Sequence, residues 1–128
     1  MTTYRLAVGP ADYKRCRALM AEFQEPVPLS FPTVLAERDG HLIGFLATQP
    51  RKEAVVAGPL MLRERSPFVT LRLLEAYDNV MRAAGIAAYH FFVKAANAEW
   101  RGQIERLGMQ PWHVDDDGVW YRRTLKAA

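Results

Sequence analysis

The segment from Ala54 to Val93 constrains the fold more than any other part of the chain, because it has the pattern of a strand, a helix and a second strand. The runs AVVAGPLML and IAAYHFFV at its two ends are apolar and rich in strand-forming residues. Between them, Ser66 and Pro67 predict a helix start, since a serine hydroxyl caps free backbone N–H groups and proline fits the first helical turn. Two strands joined by such a helix predict a parallel pair with a right-handed crossover.

Two further features of this segment bear on its packing. Gly58–Pro59 predicts a bulge or a sheet edge in the first strand, because proline has no N–H to donate to a neighbouring strand. The helix, which Gly85 ends, has a predicted buried stripe made of Val69, Leu73, Ala76, Tyr77, Val80 and Ala84. The opposite face is predicted to carry most of the polar side chains, namely Arg72, Glu75, Asp78, Asn79 and Arg82.

Before this segment, the sequence predicts a strand at Thr3–Val8, a helix at Ala11–Phe23 and two strands joined by a tight turn. The helix repeats its apolar residues at intervals of three and four, the last of them being Phe23. Asp39–Gly40 lies between two apolar runs, which is typical of a two-residue type I′ hairpin. The proline-rich stretch QEPVPLSFP predicts a loop between the helix and the hairpin.

After this segment, a short helix opens at Asn97 or Ala98 and ends at Leu107, and a final hairpin follows around the DDDG turn. The predicted order is therefore β-α-β-β-β-α-β-α-β-β. A parallel crossover flanked by hairpins predicts a mixed sheet with helices on both faces, which is an α/β fold. The chain has no internal repeat or low-complexity linker, so residues 1–128 are predicted to form a single domain.

Charge and cysteine content narrow the classes of function. The 128 residues carry a net charge of +3, which suits an anionic ligand and is too small to indicate nucleic acid. No apolar run approaches the ~18 residues of a membrane span, and the N-terminus lacks the order of a signal peptide. The single cysteine, Cys16, has no partner for an internal disulfide and is predicted to be buried and inert. These features predict a cytoplasmic protein.

The element order and landmarks resemble the GNAT acetyltransferase superfamily over nearly the whole chain. In that family a bulged strand leads into a pyrophosphate loop of the pattern Q/R-x-x-G-x-G/A and then into a helix. Here the bulge corresponds to Gly58–Pro59 and the loop to Arg65–Thr70, with Phe68 and Thr70 at the glycine positions. A later Asn followed by a helix ending in the family's "lGF" pattern is matched by Asn97 and by IERLGM.

The resemblance implies that acetyl-CoA lies where the strands Ala54–Leu62 and Ile86–Val93 splay apart. It implies backbone N–H groups around Leu60, Met61 and Leu62 for the thioester oxygen. It also implies a phosphate site at the loop and helix start, with the cofactor-binding residues Arg65, Ser66, Pro67, Phe68, Val69, Thr70 and Asn97. Phe68 is the largest departure, because glycine is what allows a backbone to approach a ligand closely. The alternative is that Ser66–Pro67 only caps a helix and that Phe68 fills the gap.

The same resemblance implies few catalytic side chains. Some relatives place a glutamate early on the bulged strand, and Glu53 lies one residue from that position, with a solvated strand end as the alternative. A tyrosine that protonates the leaving thiolate is common in the family, and Ile104 stands there instead. Transfer by direct attack of an amine, without an acyl-enzyme on Cys16, is therefore expected.

The remaining histidines and tryptophans have packing as their alternative role. His90 lies inside a predicted buried strand, which favours a hydrogen-bonded core histidine, and the histidine spacing gives no metal pattern. Trp100 stands beside the expected pantetheine path, where it either packs on the ligand or blocks it. Trp112 and Trp120 belong to the final hairpin, where core packing, an acceptor pocket and a homodimer contact are the alternatives.

The sequence therefore leaves two hypotheses about function. The first is an acyltransferase that moves an acetyl group from acetyl-CoA to an amine of a small molecule or a protein. The second is a non-catalytic GNAT-like binding or structural protein, of the kind that small phage or prophage proteins resemble, with a blocked or relic CoA site. Neither nucleic acid nor a membrane is an expected partner.

Overall fold

The computed structural model of the protein describes residues 1–52 and 54–125. Its elements follow one another in the order predicted from the sequence, which confirms the α/β class. They are β1 (Thr2–Leu6), α1 (Gly9–Ala21), β2 (Ser30–Arg38), β3 (His41–Gln49), β4 (Val56–Leu62), α2 (Pro67–Ala83), β5 (Ala88–Lys94), α3 (Ala98–Arg106), β6 (Gln110–Val114) and β7 (Gly118–Thr124). No helix in this part of the chain is both long and apolar enough to cross a membrane.

The strands form one mixed sheet in the order β1-β2-β3-β4-β5-β7-β6. The β4–β5 pair is parallel, and α2 makes the crossover between the two strands. The other neighbouring pairs are antiparallel. The strand–helix–strand segment therefore occupies the middle of the sheet, as its sequence pattern predicts, and the hairpins extend the sheet on both sides of it.

Helices cover both faces of the sheet. Alternate residues of each strand point to opposite sides, so each face has apolar side chains that a helix can cover. In β3, for example, Phe45 packs in a core cluster with Leu19 of α1, while the neighbouring Leu46 packs with Leu73 of α2. Ile104 of α3 belongs to the same cluster as Leu73. The sheet thus has an α1 face and an α2/α3 face, each with its own apolar core.

The turn between β2 and β3 has the backbone that its sequence predicts. Asp39 and Gly40 have φ angles of +52° and +79°. A type I′ turn requires positive φ at both central residues, and Asp and Gly adopt it at lower cost than other residues. The Asp39–Gly40 prediction is therefore confirmed.

A bulge in β4 interrupts its pairing with β3 at the predicted glycine–proline pair. Leu46 is opposite Leu60 and Thr48 is opposite Ala57, so β4 contains one more residue than β3 between these two positions. The extra residue lies within the Gly58–Pro59 stretch, where Gly58 has a φ of +130°. The alternative of a sheet edge is wrong, because β4 lies between β3 and β5.

The parallel pairing of β4 with β5 ends where the bulge begins. The two strands pair at Val56 with His90 and at Ala57 with Phe91. Beyond these positions, within the described residues, β4 continues to Leu62 with β3 as its pairing partner. A gap therefore opens between β4 and β5 toward the start of α2.

Three helical details differ from the sequence predictions. Ala84, predicted in the buried stripe of α2, is exposed and lies just beyond the end of the helix. Helix α1 covers Gly9–Ala21, so Phe23 lies beyond its end and is 54% exposed instead of continuing the buried stripe. Asp78, predicted on the polar face of α2, is buried. Its carboxylate accepts hydrogen bonds from the Tyr89 hydroxyl at 2.8 Å and from Arg123 at 2.8 and 2.9 Å. These partners lie on β5 and β7. The residue pattern within a helix does not predict its contacts with other elements.

Candidate active site

The backbone of β4 presents unpaired hydrogen-bonding groups to the gap. The Arg63 N–H donates to the Ile43 carbonyl at 2.9 Å, so Arg63 faces β3. Backbone groups alternate between the two sides of a strand, so Met61 also faces β3, while Leu60 and Leu62 face the β5 side. Because β5 is not paired with β4 there, the N–H and C=O groups of Leu60 and Leu62 border the gap.

Helix α2 begins at the same place. The Ser66 hydroxyl accepts the Val69 N–H at 3.2 Å, and Pro67 is the first helical residue, which confirms the predicted cap. The first turn of a helix carries free N–H groups and the positive end of the helix dipole, which together attract anions. The gap and this helix start form a groove of about 250 Å³, the β4–β5 groove, lined by Leu60, Leu62, Arg65, Ser66, Pro67, Thr70, Asn97, Trp100 and Gln103.

Most residues that the resemblance assigns to a cofactor site therefore lie together in this groove. The exceptions are Met61, Phe68 and Val69. The Met61 side chain packs on the α1 face, and Val69 is buried with its N–H bound by Ser66. Phe68 is 61% exposed, and the Arg72 guanidinium carbon lies 5.1 Å from the centre of its ring. Phe68 does not fill the gap, so the idea that it plugs the site is wrong.

The opposite wall of the groove is the start of α3. Asn97 caps this helix, its side-chain oxygen accepting the Trp100 N–H at 3.3 Å. Trp100 is half-buried and packs against Phe91, with 6.2 Å between the ring centres. Glu99 forms an ion pair with Arg65 at 2.6 Å, which joins the two walls of the groove. Both partners of this pair are exposed, so the contact is open to exchange with solvent or a ligand.

Cys16 and Ile104, two other positions considered for their chemistry, do not line the groove. Cys16 is fully buried in the α1-face core, and burial, followed by the negative charge of Asp12, raises the pKa of its thiol to about 12. A thiol with such a pKa is protonated at neutral pH and is a poor nucleophile. Ile104 is fully buried in the α2/α3-face core. Glu53, the predicted base, lies outside the described residues.

A second, larger cavity lies next to the paired end of β4 and β5. This tryptophan cavity has a volume of about 650 Å³ and is lined by Pro28, Gln49, Pro50, Arg51, Lys52, Ala54, Val56, His90, Trp112 and Trp120. Arg51 and Lys52 immediately precede Glu53 in the sequence. The described residues on either side of Glu53 in the sequence, Lys52 and Ala54, therefore line this cavity.

His90 was expected to be a hydrogen-bonded core histidine, and it is not. Its side chain is half-buried in the tryptophan cavity, with its ring centre 4.6 Å from that of Trp112. Its Nδ1 is buried without a hydrogen-bond partner. The signal was present in the sequence, since Tyr89 and Phe91 alternate with His90 along β5, and both pack in the α2/α3-face core. His90 must point to the other face.

The acidic DDDG turn between β6 and β7 has a structural role. Asp115 accepts hydrogen bonds from the backbone N–H groups of Asp117 and Gly118 at 2.8 and 3.1 Å, which closes the turn between β6 and β7. In the described ranges, no three His, Cys, Asp or Glu side chains are placed to hold a metal ion.

Comparison with solved structures identifies the fold. The chain is similar to an acetyltransferase of the GNAT family from Streptococcus pneumoniae, with a TM-score of 0.79 and 12% identity over 98% of this chain and 100% of that chain. It is also similar to the ribosomal-protein-S18-alanine N-acetyltransferase from Escherichia coli, with a TM-score of 0.72 and 16% identity over 100% and 96% of the two chains.

A third similar structure is the PaiA N-acetyltransferase from Thermoplasma acidophilum in complex with coenzyme A. The TM-score is 0.65 and the identity 18%, over 72% of this chain and 59% of that chain. This chain therefore matches less than two thirds of the length of the Thermoplasma protein. Neither a protein-family model nor a curated protein sequence matches the chain. At these identities, the similarity establishes the GNAT fold.

Proposed function

We propose that this GNAT-fold chain is an N-acetyltransferase that moves an acetyl group from acetyl-CoA to an amine. The β4–β5 groove is the observation that carries the proposal. It combines an unpaired strand backbone, at Leu60 and Leu62, with the capped start of α2 at Ser66. A coenzyme A complex is known for a protein of the same fold, the Thermoplasma N-acetyltransferase.

The residues of the groove fit the two chemical parts of coenzyme A. An extended chain with amide groups hydrogen-bonds to a free strand edge, which Leu60 and Leu62 provide. Phosphate groups bind at a helix start through backbone N–H groups and the helix dipole. The Phe68 N–H lies in this first turn without a partner in the described chain, and Arg65 adds a positive charge beside it.

The proposed reaction requires few catalytic groups from this chain. The amine nitrogen forms a bond to the thioester carbon, the carbon–sulfur bond breaks, and the thiolate leaves as coenzyme A. The N–H of Leu60 or Leu62 stabilises the negative charge that develops on the carbonyl oxygen. Glu53 accepts the proton that the amine loses. Direct attack agrees with the burial of Cys16, which offers no thiolate for an acyl-enzyme.

The rival proposal is a GNAT-fold protein without coenzyme A binding, and specific contacts favour it. Pro67 has no N–H, the Val69 N–H is bound by Ser66, and the Thr70 N–H is bound by the Ser66 carbonyl at 3.0 Å. Arg65 is paired with Glu99. The helix start thus has fewer free donors than a glycine-rich loop, and ligand binding decides between the two proposals.

The deciding experiment is a thermal unfolding series with acetyl-CoA, followed by circular dichroism. A ligand at a hundred times its Kd stabilises the native state by about 2.7 kcal/mol, which raises the unfolding midpoint by several degrees. We expect a midpoint that rises with acetyl-CoA concentration and does not rise with adenosine alone. An unchanged midpoint at millimolar acetyl-CoA would reject the enzyme proposal in favour of its rival.

Replacement of Glu99 by glutamine is expected to tighten coenzyme A binding about two- to fivefold. An exposed ion pair contributes ~0.2–1 kcal/mol to stability. In the Glu99→Gln variant this pair is absent, so Arg65 does not have to break it in order to bind phosphate. Calorimetric titration measures the change, and the gain should shrink at high salt. Glu75→Gln is the matched control, because it removes the same charge from an exposed pair with Arg72 that is not part of the groove. Weaker binding by Glu99→Gln than by Glu75→Gln would contradict this account of Arg65.

A further inference from the structure

We infer that the tryptophan cavity binds the acceptor, and that this acceptor is a small amine with an anionic group and a flat apolar body, namely an aromatic α-amino acid. The inference rests on the proposed function, whose unspecified amine it identifies by chemical class. Three observations carry it: the position of the cavity, the charge of its wall and its two indole rings.

The cavity and the β4–β5 groove lie on opposite faces of the same pair of strands. Leu60 and Leu62 pack against the α2/α3-face core, as Ala57 does. Val56 and His90, which are paired neighbours at the closed end of the gap, line the cavity instead. An amine in the cavity therefore lies beside the point at which β4 and β5 begin to separate.

The polar wall of the cavity is rich in unused hydrogen-bond donors. Arg51 and Lys52 are exposed and make no hydrogen bond or ion pair with the rest of the described chain. A carboxylate satisfies these two cations through charge-assisted hydrogen bonds.

The apolar wall is flat and aromatic. Trp112 packs its ring against His90, and the guanidinium carbon of Arg51 lies 5.7 Å from the centre of the Trp120 ring. The cation–π contact holds Arg51 over the Trp120 ring. Trp112 is 59% exposed, so its ring offers an open surface on which an aromatic ring stacks. A cavity of about 650 Å³ is within the range that encloses a small molecule. An aromatic α-amino acid carries its amine, carboxylate and ring within that space.

The test compares acceptors that differ in charge. Coenzyme A release is measured at saturating acetyl-CoA with L-phenylalanine, L-phenylalaninamide and spermidine. We expect kcat/KM for L-phenylalanine to exceed that for the other two by at least about tenfold, the effect of losing one charge-assisted hydrogen bond. The amine of the amide is the more easily deprotonated, so intrinsic reactivity favours the amide. A preference for the acid therefore reports recognition.

The variant Arg51→Gln/Lys52→Gln should lose most of this preference, so that the ratio of kcat/KM for L-phenylalanine to that for the amide falls toward one. Arg17→Gln is the control, because Arg17 is an exposed cation of α1 that does not line the cavity. Calorimetric titration of each protein with L-phenylalanine in the absence of acetyl-CoA gives a binding readout that does not depend on turnover. Trp120→Ala should abolish that binding.

The outcomes separate the inference from the proposed function. Acetyl-CoA binding together with a preference for the amide or spermidine overturns the inference and leaves the acetyltransferase proposal standing. Binding of L-phenylalanine that depends on Arg51, Lys52 and Trp120, without acetyl-CoA binding, supports the cavity assignment and overturns the acetyltransferase proposal. Binding of neither ligand overturns both.

Discussion

Replacement of Asp78 by alanine is expected to lower the free energy of unfolding by about 3–5 kcal/mol, the usual effect of removing one partner of a buried ion pair. Asp78 is 2% exposed and is the acceptor for both the Tyr89 hydroxyl and the Arg123 guanidinium. Without it, a hydroxyl in the core has no acceptor and a largely buried cation has no counter-charge. Urea unfolding, followed by tryptophan fluorescence, measures the loss.

Glu75→Ala on the same helix is the matched control for Asp78→Ala. Glu75 is half exposed and pairs with Arg72 at 3.1 Å, so its loss should change the free energy of unfolding by no more than about 0.5 kcal/mol. Asp78→Asn should fall between the two, because an amide oxygen still accepts a hydrogen bond but carries no charge. Equal losses for Asp78→Ala and Glu75→Ala would show that the α2–β5–β7 network does not stabilise the fold.

Replacement of Ser66 by aspartate is expected to weaken acetyl-CoA binding about a hundredfold while leaving the fold intact. Aspartate caps a helix as well as serine does and favours the positive end of the helix dipole, so stability should be equal or slightly higher. The new carboxylate, however, lies in the lining of the β4–β5 groove, where phosphate is proposed to bind. Two like charges ~4 Å apart near a protein surface repel by ~4 kcal/mol before screening, which exceeds the ~2.7 kcal/mol of a hundredfold change.

Ser66→Asn separates charge from shape. Asparagine is nearly isosteric with aspartate, is an equally good helix cap and is neutral. Calorimetric titration of the two variants with acetyl-CoA should show near-normal affinity for Ser66→Asn, together with a defect in Ser66→Asp that diminishes as salt rises. If both variants bind as the unmodified protein does, the phosphates do not lie at the start of α2, and the proposed site must be rejected.

Local sequence signals were sufficient for much of the fold. Asp39–Gly40 predicted its hairpin because few residue pairs adopt two positive φ angles in succession. Ser66 and Pro67 predicted the start of α2 because capping depends on residues only a few positions apart. Gly58–Pro59 predicted the bulge, although the choice between a bulge and an edge required the sheet order. In each case the physical cause lies within one short segment of chain.

Features that depend on distant segments were missed. Asp78 appeared polar and exposed because its partners, Tyr89 and Arg123, lie on two later strands. Phe68 was considered as a plug because it stands at a glycine position of the family's loop, whereas its exposure depends on how α2 packs against the sheet. The pairing of Arg65 with Glu99 requires the loop before α2 and the start of α3 to be brought together. Sequence periodicity contains no information about contacts between segments that are far apart in the chain.

The bulge in β4 determines which residues reach each face of the sheet. The Val55 carbonyl accepts the His90 N–H at 2.8 Å, so odd-numbered residues face β5 before the bulge, whereas Leu60 and Leu62 face β5 after it. Gly58 and Pro59 together occupy the place of one residue opposite β3. If the same residues continued as a regular strand, Met61 would face β5 and Leu62 would face β3, which would exchange the side chains of the two faces as well. The open cleft and the arrangement of both cores thus depend on the accommodation of one extra residue as a bulge.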